Sequence, residues 1–258
     1  MIDDARRTSF DRNAATYDAV RPSYPQALID RVLACVTAHD ALEIGAGTGQ
    51  ATRLFARRGV AITAVEPGER LAARLRANVA SLPEAAVTVV ESTFEAWPCD
   101  AATFDLVYAA QSIHWIDPAV RYAKVAHVLR PGGHVAVIRN EPGAMEPAFR
   151  AELDAAYVGR LPPRDGQAAD SAEAARRFYV DDIAASSLFG AVQTFDEAWV
   201  ARYTTRTYLE LLGTYSDHAL LPDATRAALF AAIANVIDRR GGAIDVPYAT
   251  FAFVAAKR

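Results

Sequence analysis

Residues 41–52 read Ala-Leu-Glu-Ile-Gly-Ala-Gly-Thr-Gly-Gln-Ala-Thr, and this stretch carries the strongest structural signal in the chain. Its short apolar run predicts a strand, and Gly45, Gly47 and Gly49 predict a turn that leads into a helix. Glycine reaches backbone angles that other residues avoid, and it lets the backbone approach a ligand closely. A strand, a glycine-rich turn and a helix N-terminus together form a cradle that is typical of nucleotide sites.

The neighbouring sequence alternates between strand and helix patterns, which is typical of parallel βαβ units. Apolar runs predict strands over residues 41–44, 60–65, 86–90, 104–110 and 134–138. The spacing of apolar residues predicts helices over residues 22–38, 50–58, 69–79 and 118–129.

The pattern changes after Asn140. Residues 141–185 look helical around a loop at 161–166, and residues 224–240 form a second helical pattern. Two further strands are predicted over residues 191–203 and 248–255. We therefore predict an α/β fold, in which a Rossmann-like, doubly wound, mainly parallel seven-stranded sheet carries a largely helical cap inserted after the fifth strand.

Composition narrows the class of protein. The chain has 258 residues, 52% of them hydrophobic, and a net charge of −4, so it lacks the basic character of a nucleic-acid binder. No apolar run approaches the length of a membrane span, and the polar N-terminus does not look like a signal peptide. Cys35 and Cys99 are expected to be reduced thiols. We expect a cytoplasmic monomer or homodimer with no nucleic-acid or membrane partner.

The spacing of the glycines indicates which class of nucleotide the turn binds. The dinucleotide fingerprint requires a third glycine or alanine where this chain has Gln50, and no Gly-Lys-Ser/Thr of a Walker loop follows. Glu43 stands just before the turn, where a carboxylate would repel a pyrophosphate and attract an amino group. The pattern therefore favours a nucleoside with an amino-acid tail.

These residues resemble the class I S-adenosylmethionine-dependent methyltransferases, whose signature is an acid followed by G-x-G-x-G. Glu43, Gly45, Gly47 and Gly49 match that signature. The resemblance implies S-adenosyl-L-methionine as cofactor and S-adenosyl-L-homocysteine as product. It also implies that Glu66, after the second strand, holds the ribose hydroxyls; a carboxylate can accept two hydrogen bonds from a diol.

Other cofactor contacts follow from the same resemblance. The segment 91–98 is similar to the one that lines the adenine, with Thr93 and Phe94 in the place of the usual acid and small residue. The segment Phe10–Pro25 is similar to a lid in a trans-aconitate methyltransferase-like branch, which implies that Tyr17, Arg21 and Tyr24 lie over the cofactor. Gln111 ends the fourth strand, where α/β sheets bind ligands.

The resemblance also suggests how the chain is divided. We expect one methyltransferase domain over residues 1–258. Its predicted parts are an N-terminal lid and helix (1–39), a cofactor-binding core (40–140), a cap or substrate region (141–220), and a C-terminal helix and strand that complete the sheet (221–258).

The substrate side of the site is less well specified. His114 is a candidate general base, because an ordinary histidine pKa near 6.5 suits proton removal. Trp115 is expected to wall the acceptor pocket, Tyr24 to border it, and Arg139 and Asn140 to meet a polar or acidic substrate. The remaining histidines show no metal-ligand spacing, so no metal is predicted. Each of these residues also has a simpler interpretation as a core or turn residue.

The predicted function is transfer of a methyl group to a small-molecule acceptor by in-line displacement. One alternative is an NAD-dependent oxidoreductase, against which Gln50 and the lack of a Tyr-x-x-x-Lys pair weigh. The other alternative is a non-catalytic protein that binds S-adenosylmethionine.

Overall fold

The architecture comes from a computed structural model, which describes residues 11, 14–83, 86–161 and 168–258. Within these ranges a seven-stranded sheet has the order β3-β2-β1-β4-β5-β7-β6. The strands are β1 (Asp40–Ile44), β2 (Ala61–Val65), β3 (Val87–Val90), β4 (Phe104–Ala110), β5 (Leu129–Pro142), β6 (Gln193–Thr204) and β7 (Ala243–Ala256). β7 is antiparallel to both β5 and β6, and the other pairs are parallel. The predicted fold class is confirmed.

Helices occupy both faces of this sheet and one end of it. They are α1 (Ala14–Val20), α2 (Gln26–Ala34), α3 (Gln50–Ala56), α4 (Glu69–Val79), α5 (Arg121–Val128), α6 (Pro147–Tyr157), α7 (Ala168–Ala185), α8 (Thr205–Gly213), α9 (Ser216–Ala219) and α10 (Asp223–Arg239). No helix in the described ranges is long and apolar enough to cross a bilayer.

The central strands are buried on both faces, because successive side chains of a strand point to opposite sides of the sheet. In β4, Leu106 and Tyr108 pack with Phe55 of α3 on one face. Val107 of the same strand packs on the other face with Val125 of α5. This arrangement explains why the core strands read as continuous apolar runs.

A third apolar cluster joins the helices that follow β5 and β6 to the N-terminal helix. It contains Val20 of α1, Leu153 of α6, Leu211 of α8 and Ile233 of α10, packed on the Tyr248 end of β7. Pro142, at the carboxyl end of β5, pairs with Tyr248. The cluster therefore lies at the edge of the sheet where the parallel strands end.

Several element boundaries differ from the predictions. β5 extends to Leu129–Pro142 because β7 pairs with it from His134 to Pro142. The predicted helix 22–38 is only Gln26–Ala34, since Pro25 precedes its first turn, and the separate helix Ala14–Val20 was not predicted. Most of the predicted loop at 161–166 lies outside the described residues.

Candidate functional site

A cavity of about 390 Å³ lies where β1, β2, β4 and β5 end. The predicted site residues that line it are Tyr17, Arg21, Gly45, Gly47, Glu66, Thr93, Phe94, Gln111, His114, Trp115, Arg139 and Asn140. Three predicted residues, Glu43, Gly49 and Tyr24, are not among its lining residues. Elements far apart in sequence thus meet at the edge of the sheet that α/β folds use for ligands.

The three glycines of the turn all have positive φ angles, of 67°, 59° and 91°, but they serve different purposes. A Cβ atom on Gly45 would lie 2.6 Å from Cβ of Ser112, and one on Gly49 would collide with Leu75 of α4. A Cβ atom on Gly47 would meet only the Tyr17 ring, at 3.7 Å. Gly45 and Gly49 therefore allow close packing of the turn, and Gly47 keeps the backbone open towards the cavity.

Glu66 stands at the end of β2 and is buried, with 5% of its surface exposed. Its Oε2 accepts the Gly47 N–H at 2.7 Å, and its Oε1 accepts the Gly68 N–H at 2.8 Å. Burial raises the pKa of this carboxyl, and the two backbone donors oppose that rise. The carboxylate is thereby held at the cavity wall, with lone pairs left to accept hydrogen bonds from a diol.

Glu43 corrects the prediction of a ligand-facing acid. Its Oε2 accepts hydrogen bonds from Thr52 Oγ1 at 2.5 Å and from the Tyr108 hydroxyl at 2.9 Å, beneath the glycine turn. Burial raises the pKa of Glu43 to about 8. The pleat of β1 directs this side chain to the sheet face that α3 covers, so the residue ties β1 to α3 and β4 instead of reaching the cavity.

The N-terminal helix lies against the cavity. Tyr17 and Arg21 of α1 line it, and Arg21 Nη2 donates to the Thr214 carbonyl at 2.6 Å. The Arg21 guanidinium lies 4.8 Å from the ring centroid of Tyr17 and 4.6 Å from that of Tyr215. Asp18 docks the same helix on α4, where its Oδ2 accepts from Arg74 Nε at 2.8 Å.

Tyr24 does not take the lid position that was predicted. It packs partly buried against the core cluster of α2 and α3, and burial raises the pKa of its hydroxyl. The chain between α1 and α2 turns it inward, whereas Tyr17 stays on the cavity side. Phe10, the first residue of the predicted lid segment, lies outside the described residues.

The loop after β3 lines another part of the cavity. Phe94 is buried, with 2% of its surface exposed, and Lys124 Nζ lies 5.1 Å from its ring centroid. Lys124 also donates to the Trp97 carbonyl at 2.5 Å, which fixes the loop. Glu95 lines the cavity beside Thr93 and was not predicted. Its place two residues after Thr93 is the signal that would have indicated it.

Gln111 leaves a buried acceptor at the cavity. Its backbone has a φ of 61°, and its N–H donates to the Ile138 carbonyl at 2.9 Å. The side-chain Nε2 donates to the Asn140 carbonyl at 2.7 Å, whereas the buried Oε1 has no hydrogen-bond partner among the described residues. A buried acceptor without a partner is costly, so this atom fits a ligand that carries a donor.

His114 is held by a neighbouring cation. Arg139 Nη1 lies 3.0 Å from His114 Nδ1, and Arg139 Nη2 lies 3.0 Å from Glu141 Oε1. Although His114 is exposed at the rim, partial burial of its ring and the charge of Arg139 lower its pKa to about 3. Because arginine only donates, Nδ1 is the acceptor and the neutral ring carries its proton on Nε2. In this arrangement the His114 ring presents an N–H donor at neutral pH, which weighs against the predicted base.

Arg139 and Asn140 are both engaged within the protein. The charge of Arg139 is paired with Glu141 at the cavity wall, and its contact with a polar or acidic substrate stays a prediction. Asn140 is buried, its Nδ2 donates to the Ser23 carbonyl at 3.0 Å, and its Oδ1 accepts from Thr250 Oγ1 at 2.5 Å. Trp115 lines the cavity, with its ring centroid 4.8 Å from that of His114.

Residues from the segments after β6 complete the wall. Tyr215, Ser216 and Asp217 follow α8, and Tyr248 comes from β7. α8 ends at Gly213, and the Tyr215 ring beyond it lies at the cavity and against Arg21. Among the described residues, no group of three His, Cys, Asp or Glu side chains is placed to hold a metal ion.

The central part of the chain is similar to known proteins. Residues 42–137 match the family described as methyltransferase domain. An uncharacterized methyltransferase of Mycobacterium tuberculosis is 39% identical over 132 residues, which are 51% of this chain and 52% of that protein. The matched stretch thus spans about half the length of this curated relative.

Solved structures extend the likeness of fold to most of the chain. A protein of Anaeromyxobacter dehalogenans, assigned as a type II methyltransferase, superposes with a TM-score of 0.65 at 24% identity and covers 92% of this chain and 97% of its own. Phosphoethanolamine N-methyltransferase 2 of Haemonchus contortus, in complex with S-adenosyl-L-methionine, superposes with a TM-score of 0.54 at 17% identity. That match covers 96% of this chain and 57% of the other.

Proposed function

We propose that the protein transfers a methyl group from S-adenosyl-L-methionine to a small-molecule acceptor, since residues 42–137 match the methyltransferase domain family. The observation that carries the proposal is the position of Glu66. Its carboxylate is fixed at the cavity wall by the N–H groups of Gly47 and Gly68, at 2.7 and 2.8 Å. A fixed acceptor pair beside a glycine turn suits a ribose diol.

The other lining residues suit the remaining parts of this cofactor. The buried Oε1 of Gln111 is placed to accept from the ammonium group of the amino-acid tail. Phe94 offers an apolar face to the base, with Thr93 and Glu95 beside it as polar groups. Gly47 keeps the turn open where a side chain would stand between the backbone and Tyr17. When bound, S-adenosyl-L-methionine supplies a methyl group on a sulfonium, which is already activated for displacement.

The protein itself aligns the two reactants and excludes water from them. For a displacement in line, the protein has to align two reactants, and effective molarities from such alignment reach about 10⁵ M and above. We propose that α1 acts as a lid over the site, with Arg21 clasped between Tyr17 and Tyr215 to exclude water. His114, with its proton on Nε2, is proposed to orient the acceptor as a hydrogen-bond donor.

The volume of the cavity and the residues that close it favour a small acceptor. Its volume of about 390 Å³ is near the lower end of the range of ligand pockets, roughly 300–1,000 Å³. We propose that the 141–220 region, which supplies Tyr215 and Asp217 to the wall, determines which molecule enters.

Calorimetric titration of the protein with S-adenosyl-L-homocysteine and with NADH tests the proposal. We expect saturable binding of the first and none of the second. Binding of NADH alone would contradict the proposed cofactor and support a dinucleotide enzyme. Failure to bind either compound would also contradict it.

A further inference from the structure

A chain of three polar side chains leads from the buried interior to the cavity. The Tyr157 hydroxyl of α6 lies 3.1 Å from His218 Nε2, and His218 Nδ1 lies 2.7 Å from Asp217 Oδ1. The backbone N–H of His218 donates to the same Oδ1 at 2.9 Å. His218 is fully buried, whereas the Asp217 side chain keeps 25% of its surface exposed and lines the cavity.

The direction of the hydrogen bonds follows from the donors available. A carboxylate only accepts, so His218 must carry a proton on Nδ1, and the tyrosine hydroxyl is then placed to donate to Nε2. Two donors therefore hold Oδ1 of Asp217 from behind. Buried hydrogen-bonded partners of this kind fix the orientation of the group in front of them.

The charges around the cavity indicate what this oriented carboxylate meets. Arg139 is paired with Glu141, and Arg21 donates to the Thr214 carbonyl between two tyrosine rings. Among the described residues, four carboxylates and two guanidinium groups line the cavity, so an anion that enters it would face an excess of negative charge; the residues are Glu66, Glu95, Glu141 and Asp217, and Arg21 and Arg139. A group that donates hydrogen bonds and tolerates positive charge is favoured there, and the Tyr215 and Tyr248 rings nearby attract cations as well.

We propose that Asp217 is the residue that selects the methyl acceptor, and that the acceptor carries an amino group which binds this carboxylate. His218 and Tyr157 are positioning residues that act through Asp217. The inference rests on the proposed function, since it assigns the substrate class of that same cavity. The proposal concerns only how the amino group is recognised. It holds whichever atom of the acceptor receives the methyl group.

The test is a binding comparison on the protein saturated with S-adenosyl-L-homocysteine. Two matched series differ only in the end group: tyramine, tyrosol and 4-hydroxyphenylacetate, and ethanolamine, ethylene glycol and glycolate. Ligand-observed NMR titration gives each dissociation constant. We expect each amine to bind at least about tenfold more tightly than its alcohol and its acid, because a hydrogen bond between an ammonium group and the Asp217 carboxylate is stronger than one between neutral groups.

Variants test whether the hydrogen-bonded residues Tyr157, His218 and Asp217 cause this preference for amines. Asp217→Asn should remove the preference for amines, and Asp245→Asn, an exposed aspartate on β7, should leave it unchanged. His218→Asn retains an N–H donor near the place of Nδ1 and should keep the preference, whereas His218→Gln places its amide near Nε2 and should reduce it. Melting temperatures identify any variant that fails to fold.

Two results would overturn the inference. One is the absence of a preference for amines in both series, including the case in which no probe binds. The other is a preference that survives in Asp217→Asn. A failure of the proposed function is distinguishable, because S-adenosyl-L-homocysteine itself would then not bind to the unaltered protein.

Discussion

The carboxylate of Glu66 accepts the backbone N–H of Gly47 at 2.7 Å, so the acid after β2 and the glycine turn after β1 hold each other in place. The contact joins the ends of two adjacent strands at the cavity wall. Loss of either partner should therefore disturb the same ligand site, and each partner can be tested by itself.

Glu66→Ala should weaken binding of S-adenosyl-L-homocysteine by about 100-fold, since hydrogen bonds to a charged group contribute about 1.5–3 kcal/mol each. Calorimetry measures the affinity. Glu152→Ala, which removes a partly exposed acid of α6 that does not line the cavity, is the matched control and should bind normally. An unchanged affinity in Glu66→Ala would exclude the role of this carboxylate in holding the ribose.

Gly47→Val should abolish binding of S-adenosyl-L-homocysteine while the protein stays folded. The substitution places a branched side chain at a φ of 59°, between the turn and the Tyr17 ring. Gly59→Val is a strict comparison, because Gly59 has a similar φ of 83° and a Cβ atom added there would have no neighbour within 4 Å. It should lose stability from backbone strain and keep its affinity for the ligand. Equal affinities in the two variants would mean that Gly47 does not border the ligand.

The parts of the site that local sequence determines were predictable. A glycine turn after a buried strand must lie at the carboxyl end of a parallel sheet, and an acid after the next strand lies beside it. Gly45, Gly47 and Glu66 needed no more information than that. The wall of the cavity accordingly contains these residues.

The errors arose where a side chain depends on partners distant in sequence. Glu43 is directed inward by Thr52 and by Tyr108, which is 65 residues away. Nδ1 of His114, which follows β4, lies beside Arg139 of β5, 25 residues further along the chain. Asp217 reaches the cavity only because the helices after β6 pack against α1 and β7. Spacing along the chain contains none of these contacts.

The buried acid beneath the turn should make stability depend on pH. In the folded protein Glu43 has a pKa of about 8, against an ordinary value of 4.5. Between these values the folded state binds more protons than the unfolded state, so the stabilisation is complete below pH 4.5 and is lost as the pH rises through 8. The slope reaches about 1.4 kcal/mol per pH unit.

Glu43→Gln should remove that slope, since an amide oxygen can still accept from Thr52 and Tyr108 and never ionises. Urea unfolding of both proteins at intervals from pH 5 to pH 9 measures the difference. The variant should gain stability relative to the parent protein as the pH rises. Parallel curves for the two proteins would show that Glu43 does not carry a raised pKa.

Burial of the ring and the charge of Arg139 should keep His114 neutral. Nitrogen-detected NMR of the histidine rings, with His114→Gln as the assignment control, should show no titration of His114 between pH 5 and pH 8. Arg139→Gln should raise its pKa from about 3 towards the ordinary value of 6.5. A titration near 6.5 in the unaltered protein would restore His114 as a candidate base.

Arg21 connects α1 to the segment after α8, so its removal should open the proposed lid. Arg21→Ala loses the bond to the Thr214 carbonyl and the contacts with both tyrosine rings. We expect S-adenosyl-L-homocysteine to dissociate about tenfold faster, because an exposed to half-buried cation–π contact contributes roughly 0.5–2 kcal/mol. Stopped-flow tryptophan fluorescence, to which Trp115 in the cavity wall contributes, measures the rate. Arg31→Ala, which removes an exposed cation beside β6, is the control and should not change it. An unchanged rate in Arg21→Ala, with α1 still in place by hydrogen exchange, would show that Arg21 does not retain the ligand.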